Sequence, residues 1–167
     1  AQFIRSIQSY DSKFDAGFTQ VNNLAQPFPN FTQQENRGKA LYIQATGQGG
    51  AGCQGCHRAP EFDIDPNSRN NGVISVLGDS TATDLTKTRA PSLRDLVNPD
   101  GQLNGPLMHD GSLRTLLDVI NHYDSIPFNP ANNQLDPRLR GGAGPGQPGM
   151  GQNLQLTQDE KDALVAF

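Results

Sequence analysis

Apolar residues recur at helical spacing in four stretches of this chain, and polar or glycine- and proline-rich segments separate them. In residues 1–9, Phe3, Ile4 and Ile7 share one face with no capping residue before them, so the chain is expected to begin inside a helix. Thr32 to Glu35 reads as a capping box, in which a hydroxyl and a carboxylate each satisfy a free backbone N–H, and it predicts a helix through Ala40, Leu41 and Ile43. Ser112 is expected to cap a third helix, where Leu113, Leu116, Leu117 and Ile120 recur at the spacing of a buried face. A short helical turn is expected from Ser92 to Val97, after Pro91. A capping box at Thr157 and Glu160 opens the last helix, with Leu164, Val165 and Phe167. That helix stops without a glycine or polar cap and reads as cut. The rest reads as loop, most plainly Arg140 to Asn153, and no internal repeat is visible. The pattern predicts an all-α fold with long loops.

Composition changes this picture in one respect. The chain has one-domain length, yet 34% of it is hydrophobic, Trp is absent, and 18 Gly and 12 Pro mark many connections. Its own core is therefore expected to be thin. The net charge of −4 argues against a nucleic-acid partner, and no apolar run approaches the ~20 residues of a membrane span.

The stretch Ala51-Gly-Cys-Gln-Gly-Cys-His57 holds both cysteines of the chain, three apart, with a histidine directly behind. Cys-x-x-Cys-His is the attachment pattern of c-type haem: the two thiols form thioethers to the vinyl groups, and the next imidazole reaches the iron. On this reading Cys53 and Cys56 tether one covalent haem c and His57 is its proximal ligand. A structural zinc site would need a second compact ligand pair, whereas His109 and His122 are far apart in sequence. A thioredoxin-like pair would need a βαβ context that is not apparent here, and a plain disulfide would leave His57 accidental. Haem also supplies a flat apolar body against which short segments can pack. Covalent attachment implies export, so a periplasmic or equivalent compartment is expected, with any signal peptide removed before this sequence begins.

The sixth ligand decides whether such a haem transfers electrons or admits peroxide. Met108, His109, His122, Tyr123 and Met150 compete for it, each with an ordinary structural reading beside the ligand one. His122 and Tyr123 are helix neighbours pointing about 100° apart, so they cannot both face the iron. Met150 lies on a Gly/Pro-rich loop before the final helix, as the ligand methionine of ordinary monohaem cytochromes c does. Met108 is expected to pack in the core, and His109 to brace its turn by hydrogen bonds. Arg89 and Arg94 are candidates for the haem propionates, because a guanidinium forks well onto a carboxylate. The run Asp63 to Ser68 is expected to be a turn with solvated acids rather than a calcium site.

Six segments taken in order, FTQQENRGKALYIQ, GCQGCH, TRAPSLRDL, GPLMHDGSLRTLLDVINHYD, LDPRLR and LTQDEKDALVAF, resemble the C-terminal haem domain of the bacterial dihaem cytochrome c peroxidase/MauG family. The resemblance implies a cytochrome c-like haem domain at 32–167. Residues 1–31 would be the end of the preceding domain's helix and a linker, with the N-terminal haem domain absent. It implies Tyr123 as distal ligand, at the position of a methionine in the peroxidases and a tyrosine in MauG. A phenolate there would stabilise ferric iron and lower the potential. It further implies calcium held partly by the backbone carbonyls of Asn104 and Pro106, completed from outside this segment. The implied function is an electron-transfer domain that relays oxidising equivalents from peroxide cleaved at a second haem. Its partners would be the N-terminal haem domain and a redox protein donor or substrate, and the segment alone would have little or no turnover. Two readings stay open beside it: a small monohaem cytochrome c carrier with Met108 or Met150 on the iron, and a haem-binding module that is only structural.

Overall fold

The computed structural model describes residues 9–62, 65–141 and 150–167, with Met150 described by its backbone alone. Residues 1–8 of the helix expected at 1–9, with Phe3, Ile4 and Ile7, and Asp63 of the acidic run lie outside the described residues.

Helices α1 (Lys13–Val21), α2 (Gln33–Ile43), α3 (Leu116–Asp124) and α4 (Gln158–Ala166) all begin on capping boxes, formed by Ser12 with Asp15, Thr32 with Glu35, Thr115 with Asp118, and Thr157 with Glu160. The second and fourth were legible in the sequence. The third starts later than expected, because Leu107 and Leu113 pair in an antiparallel bridge and the Ser112 N–H donates to Asp110 Oδ1 at 3.0 Å. Residues 107–113 therefore close a turn first, and Thr115 rather than Ser112 caps the helix. The expected helical turn at 92–97 is a non-helical turn at Arg94–Asp95, in which Asp95 adopts the left-handed φ of 63° that a right-handed helix forbids.

The expected all-α class is overturned by two antiparallel ribbons. Strand β1 (Ser75–Val76) pairs with β2 (Asp79–Thr83), and β3 (Arg140–Gly141) pairs with β4 (Met150–Gly151). The first reverses through Leu77-Gly78, where Gly78 takes a φ of 86° open to glycine without strain. The second uses glycine for closeness: a Cβ on Gly151 would stand 1.7 Å from the Ile126 carbonyl oxygen. Glycine-rich sequence reads as loop by composition, but here it also permits backbones to touch.

The core is aromatic and local to the helices. Phe14, Phe28, Tyr42, Ala59 and Phe62 are buried together, with Phe167 packed against them. Phe14 and Phe62 meet edge to face at 4.8 Å, and Tyr42 and Phe167 at 5.2 Å. Helices α2 and α4 cross at Gly38, where a Cβ would fall 1.9 Å from the oxygen of the fully buried Ala163. Lys39 is also buried; its Nζ donates to the carbonyls of Leu24 and Gln26 and sits 4.3 Å over the Phe28 ring, tying the α1–α2 connection to α2. A second, polar centre surrounds Asn70, whose Oδ1 accepts from Asn132 at 2.9 Å and from Gly72 N at 2.8 Å. Asp136 N donates to the Asn70 carbonyl beside it. This centre carries the loops that frame the site.

Candidate functional site

The chain leaving α2 folds back on the helix end, with Ala51 N donating to Leu41 O at 2.8 Å and Gly52 N to Gln44 O at 2.9 Å. Gly52 then turns with a φ of 70° into a single 3₁₀ turn, Cys53–Gly55, and the His57 N–H donates to the Cys53 carbonyl. Both thiols and the imidazole are thus presented by one short, hydrogen-bonded turn. Tyr42 in the core anchors it by donating its hydroxyl to the His57 carbonyl at 2.6 Å.

His57 Nδ1 lies 2.7 Å from the Pro91 carbonyl, which only an N–H can satisfy. The proton therefore sits on Nδ1, and Nε2 carries a free lone pair for a metal. Burial lowers the His57 pKa, which also favours the neutral, ligating form. Pro91 is held in place by its neighbour, since Ala90 N donates to Ser68 Oγ at 2.6 Å and Ala90 bridges to Asp65.

Both cysteines are free. Burial pushes the Cys53 thiol up to about 12 and the Cys56 thiol up to about 11. A site that penalises thiolate disfavours disulfide exchange, whereas a thioether carries no charge and suffers no such penalty. No group of three or more His, Cys, Asp and Glu gathers among the described residues to hold a bare metal ion. The donor set fits covalent haem with one imidazole ligand.

Tyr123 stands near the end of α3, half-buried, and burial pushes its phenol up to about 12, with Cys56 and Cys53 close enough to raise it further. The phenol therefore shares the environment of the attachment turn although it lies 66 residues after His57 in the sequence, by subtraction of their numbers. Leu116, Leu117 and Ile120 on the same helix are only half-buried by protein. Gln152 donates to the Tyr123 carbonyl, and Leu154 N to the Asp124 carbonyl at 2.8 Å, clasping the helix end. His122 packs edge to face on Tyr123 at 5.1 Å, and its Nε2 is 2.8 Å from the Asn71 carbonyl. Asn71 is the hub that sequence reasoning missed. Its Nδ2 lies 3.5 Å from Met108 Sδ, its Oδ1 accepts from Val73 N, and its amide lies beside the Tyr123 hydroxyl.

Arg138 is a second residue missed. It donates to the Gly55 carbonyl inside the Cys53–Cys56 turn, to Asp65 and to Asp136. Asp136 is almost wholly buried; burial by itself would raise its carboxyl, but the bonds from Arg138 and from the Arg138 and Arg69 N–H groups outweigh that and hold it low. The one guanidinium joins two loops, that of Asp65 and its own segment with Asp136, to the Cys53–Gly55 turn.

The other expected residues are placed as follows. All five N–H groups of Arg94 are engaged: by Asp15 twice at 2.8 Å and by the carbonyls of Ser9, Pro60 and Glu61. Arg89 is exposed and makes no hydrogen bond or ion pair among the described residues. His109 Nε2 lies 3.4 Å from Asp84, and Met108 holds a left-handed φ of 69°. Asn104 and Pro106 lie on an exposed turn, where Asn104 Nδ2 donates to the Asp95 carbonyl at 2.7 Å. The backbone of Met150 pairs with Gly141, and its side chain lies outside the described residues.

Two curated proteins resemble the chain. It is 31% identical over 163 aligned positions to methylamine utilization protein MauG of Methylophilus methylotrophus, covering 89% of this chain and 42% of that protein. It is 34% identical over 84 positions to cytochrome-c peroxidase IdrP1 of Denitromonas iodatirespirans, covering 50% of this chain and 17% of that one. The chain thus spans less than half the length of either relative. No family model matches it, and no solved structure matches it.

Proposed function

This chain is related to the MauG and dihaem cytochrome c peroxidase family, and from that premise we propose that residues 32–167 form a cytochrome c-like electron-transfer domain of a dihaem peroxidase. Cys53 and Cys56 would tether one haem c, and His57 through Nε2 and Tyr123 through its hydroxyl oxygen would ligate its iron. The observation that carries this reading is the single turn presenting both thiols and a His57 whose Nδ1 is committed to Pro91.

When bound, the haem supplies one-electron redox chemistry at iron. The residues of this chain supply the rest. Pro91 fixes the imidazole's tautomer, and Arg138 holds the Cys53–Gly55 turn against Asp65 and Asp136. An oxygen ligand from Tyr123 favours ferric over ferrous iron and holds the potential low. Such a centre stores oxidising equivalents better than it accepts electrons from an ordinary cytochrome c. A second haem, carried by an N-terminal domain to which residues 1–31 would lead, would supply the peroxide chemistry. A redox protein is donor or substrate, and the protein is exported, because covalent haem attachment belongs to exported compartments. Arg89 faces solvent where a propionate could meet it, and Asn104 and Pro106 contribute carbonyls to a calcium completed by the neighbouring domain.

The ferric spectrum of the haem-loaded chain, taken into the near infrared and compared with Tyr123→Phe, tests the ligand set. The expected parent lacks a methionine-to-iron charge-transfer band, and the variant converts to an open or water-bound form. A methionine band present in both would remove Tyr123 from the iron and favour a monohaem carrier. Haem content of the full-length protein tests the rest, two per chain being expected.

A further inference from the structure

Two possible sixth ligands, Tyr123 and Met108, converge on one side chain that belongs to neither of their segments. The Asn71 amide nitrogen lies 3.5 Å from Met108 Sδ, and the same amide lies beside the Tyr123 hydroxyl. Its orientation is not free. Oδ1 accepts from Val73 N at 3.0 Å, so it is Nδ2, with its two hydrogens, that meets the sulfur. The backbone is pinned as well, since His122 Nε2 is 2.8 Å from the Asn71 carbonyl and the next residue, Gly72, turns with a φ of 89° beneath the His122 ring. Met108 is held in a left-handed conformation uncommon for a residue with a side chain, at the mouth of the turn closed by Leu107 and Leu113.

We infer that Asn71 is a positioning residue that selects the distal haem ligand, restraining the Met108 thioether through one amide hydrogen while aligning the Tyr123 oxygen with the other. This rests on the haem reading above and deepens it. A thioether and a phenol oxygen compete for one position, and a donor that both retains the sulfur and steadies the oxygen biases the competition twice. His122 serves the same device by bracing Asn71, which explains why an imidazole next to the ligand is spent on a backbone carbonyl.

The test uses the haem-loaded chain with Asn71→Asp and Asn71→Leu. Aspartate keeps the acceptor that holds Val73 N and so preserves the turn, but removes the donor; leucine removes both. Each variant is expected to acquire a methionine-to-iron charge-transfer band and a higher midpoint potential, the ratio of methionine to tyrosine ligation rising about ten-fold or more. The band should vanish when Met108→Leu is added to either variant. Parent-like spectra and potentials in both single variants would overturn the inference, as would conversion to a water-bound form without a methionine band. Tyr123→Phe separates the two levels: if it leaves the parent spectrum unchanged, the tyrosine reading itself fails, whereas a change there with silent Asn71 variants sinks only the selection role.

Discussion

Arg138 shows what one side chain can decide here. Its guanidinium faces Asp136, which is 3% exposed, while Arg138 itself is 38% exposed. Arg138→Leu leaves that carboxylate buried without its cation, and urea unfolding should show a loss of about 1–3 kcal/mol, reduced from the cost of a fully buried pair by solvent around the arginine. Arg138→Lys should recover only part of this, because a point charge cannot serve Asp136 and the Gly55 carbonyl together. The Arg94–Asp15 pair titrates instead. Bonds from Arg94 depress Asp15 to about 2, against about 3.9 unfolded, so the stability it contributes is full above pH 5 and is lost as pH falls from about 4 through 2. Acid unfolding of Arg94→Leu should lack this component, about 2 kcal/mol, with the difference from the parent shrinking below pH 3. The turn that brings Cys53, Cys56 and His57 together was legible because the three lie within five positions of sequence. Asn71 and Arg138 were not, since their partners Met108 and Gly55 are 37 and 83 residues away.

At the scale of elements, capping is local and crossings are not. Thr115→Ala should destabilise α3 by about 1 kcal/mol in thermal unfolding, while Ser112→Ala should change little, because Thr115 accepts from Asp118 N and Ser112 only closes the preceding turn. The same comparison explains why Thr32 and Thr157 could be read directly: hydroxyl and carboxylate three residues apart satisfy each other whatever the rest of the chain does. Ser12 and Asp15 carried that signal too, and it was overlooked in a segment read as linker. Gly38 belongs to the other kind. A methyl group there meets the Ala163 carbonyl, which is backbone and cannot rotate aside, so Gly38→Ala should force α2 and α4 apart and cost about 1–3 kcal/mol despite better helix propensity. A melt as stable as the parent's would show that the helices can separate freely.

For the whole molecule, the aromatic cluster packs α1, α2 and α4, whereas α3 has no fully buried residue. Preventing haem attachment with Cys53→Ala, Cys56→Ala and His57→Ala should therefore loosen α3 and the loops around Asn71 first, which hydrogen exchange would register as lost protection there while the α2–α4 crossing stays protected. Uniform retention of protection would show that the protein alone completes its core. No helix among the described residues is long and apolar enough to cross a membrane. Two capping-box helices and the Cys53–His57 turn could be read from the sequence alone, since each is written in residues a few positions apart whose hydrogen bonds need no distant partner. Only the tertiary structure decided the two ribbons, the Gly38 crossing, the Arg138 brace and the meeting of Asn71 with Met108 and Tyr123. Those depend on closing loops of tens of residues, and composition and periodicity do not record which ends a loop brings together.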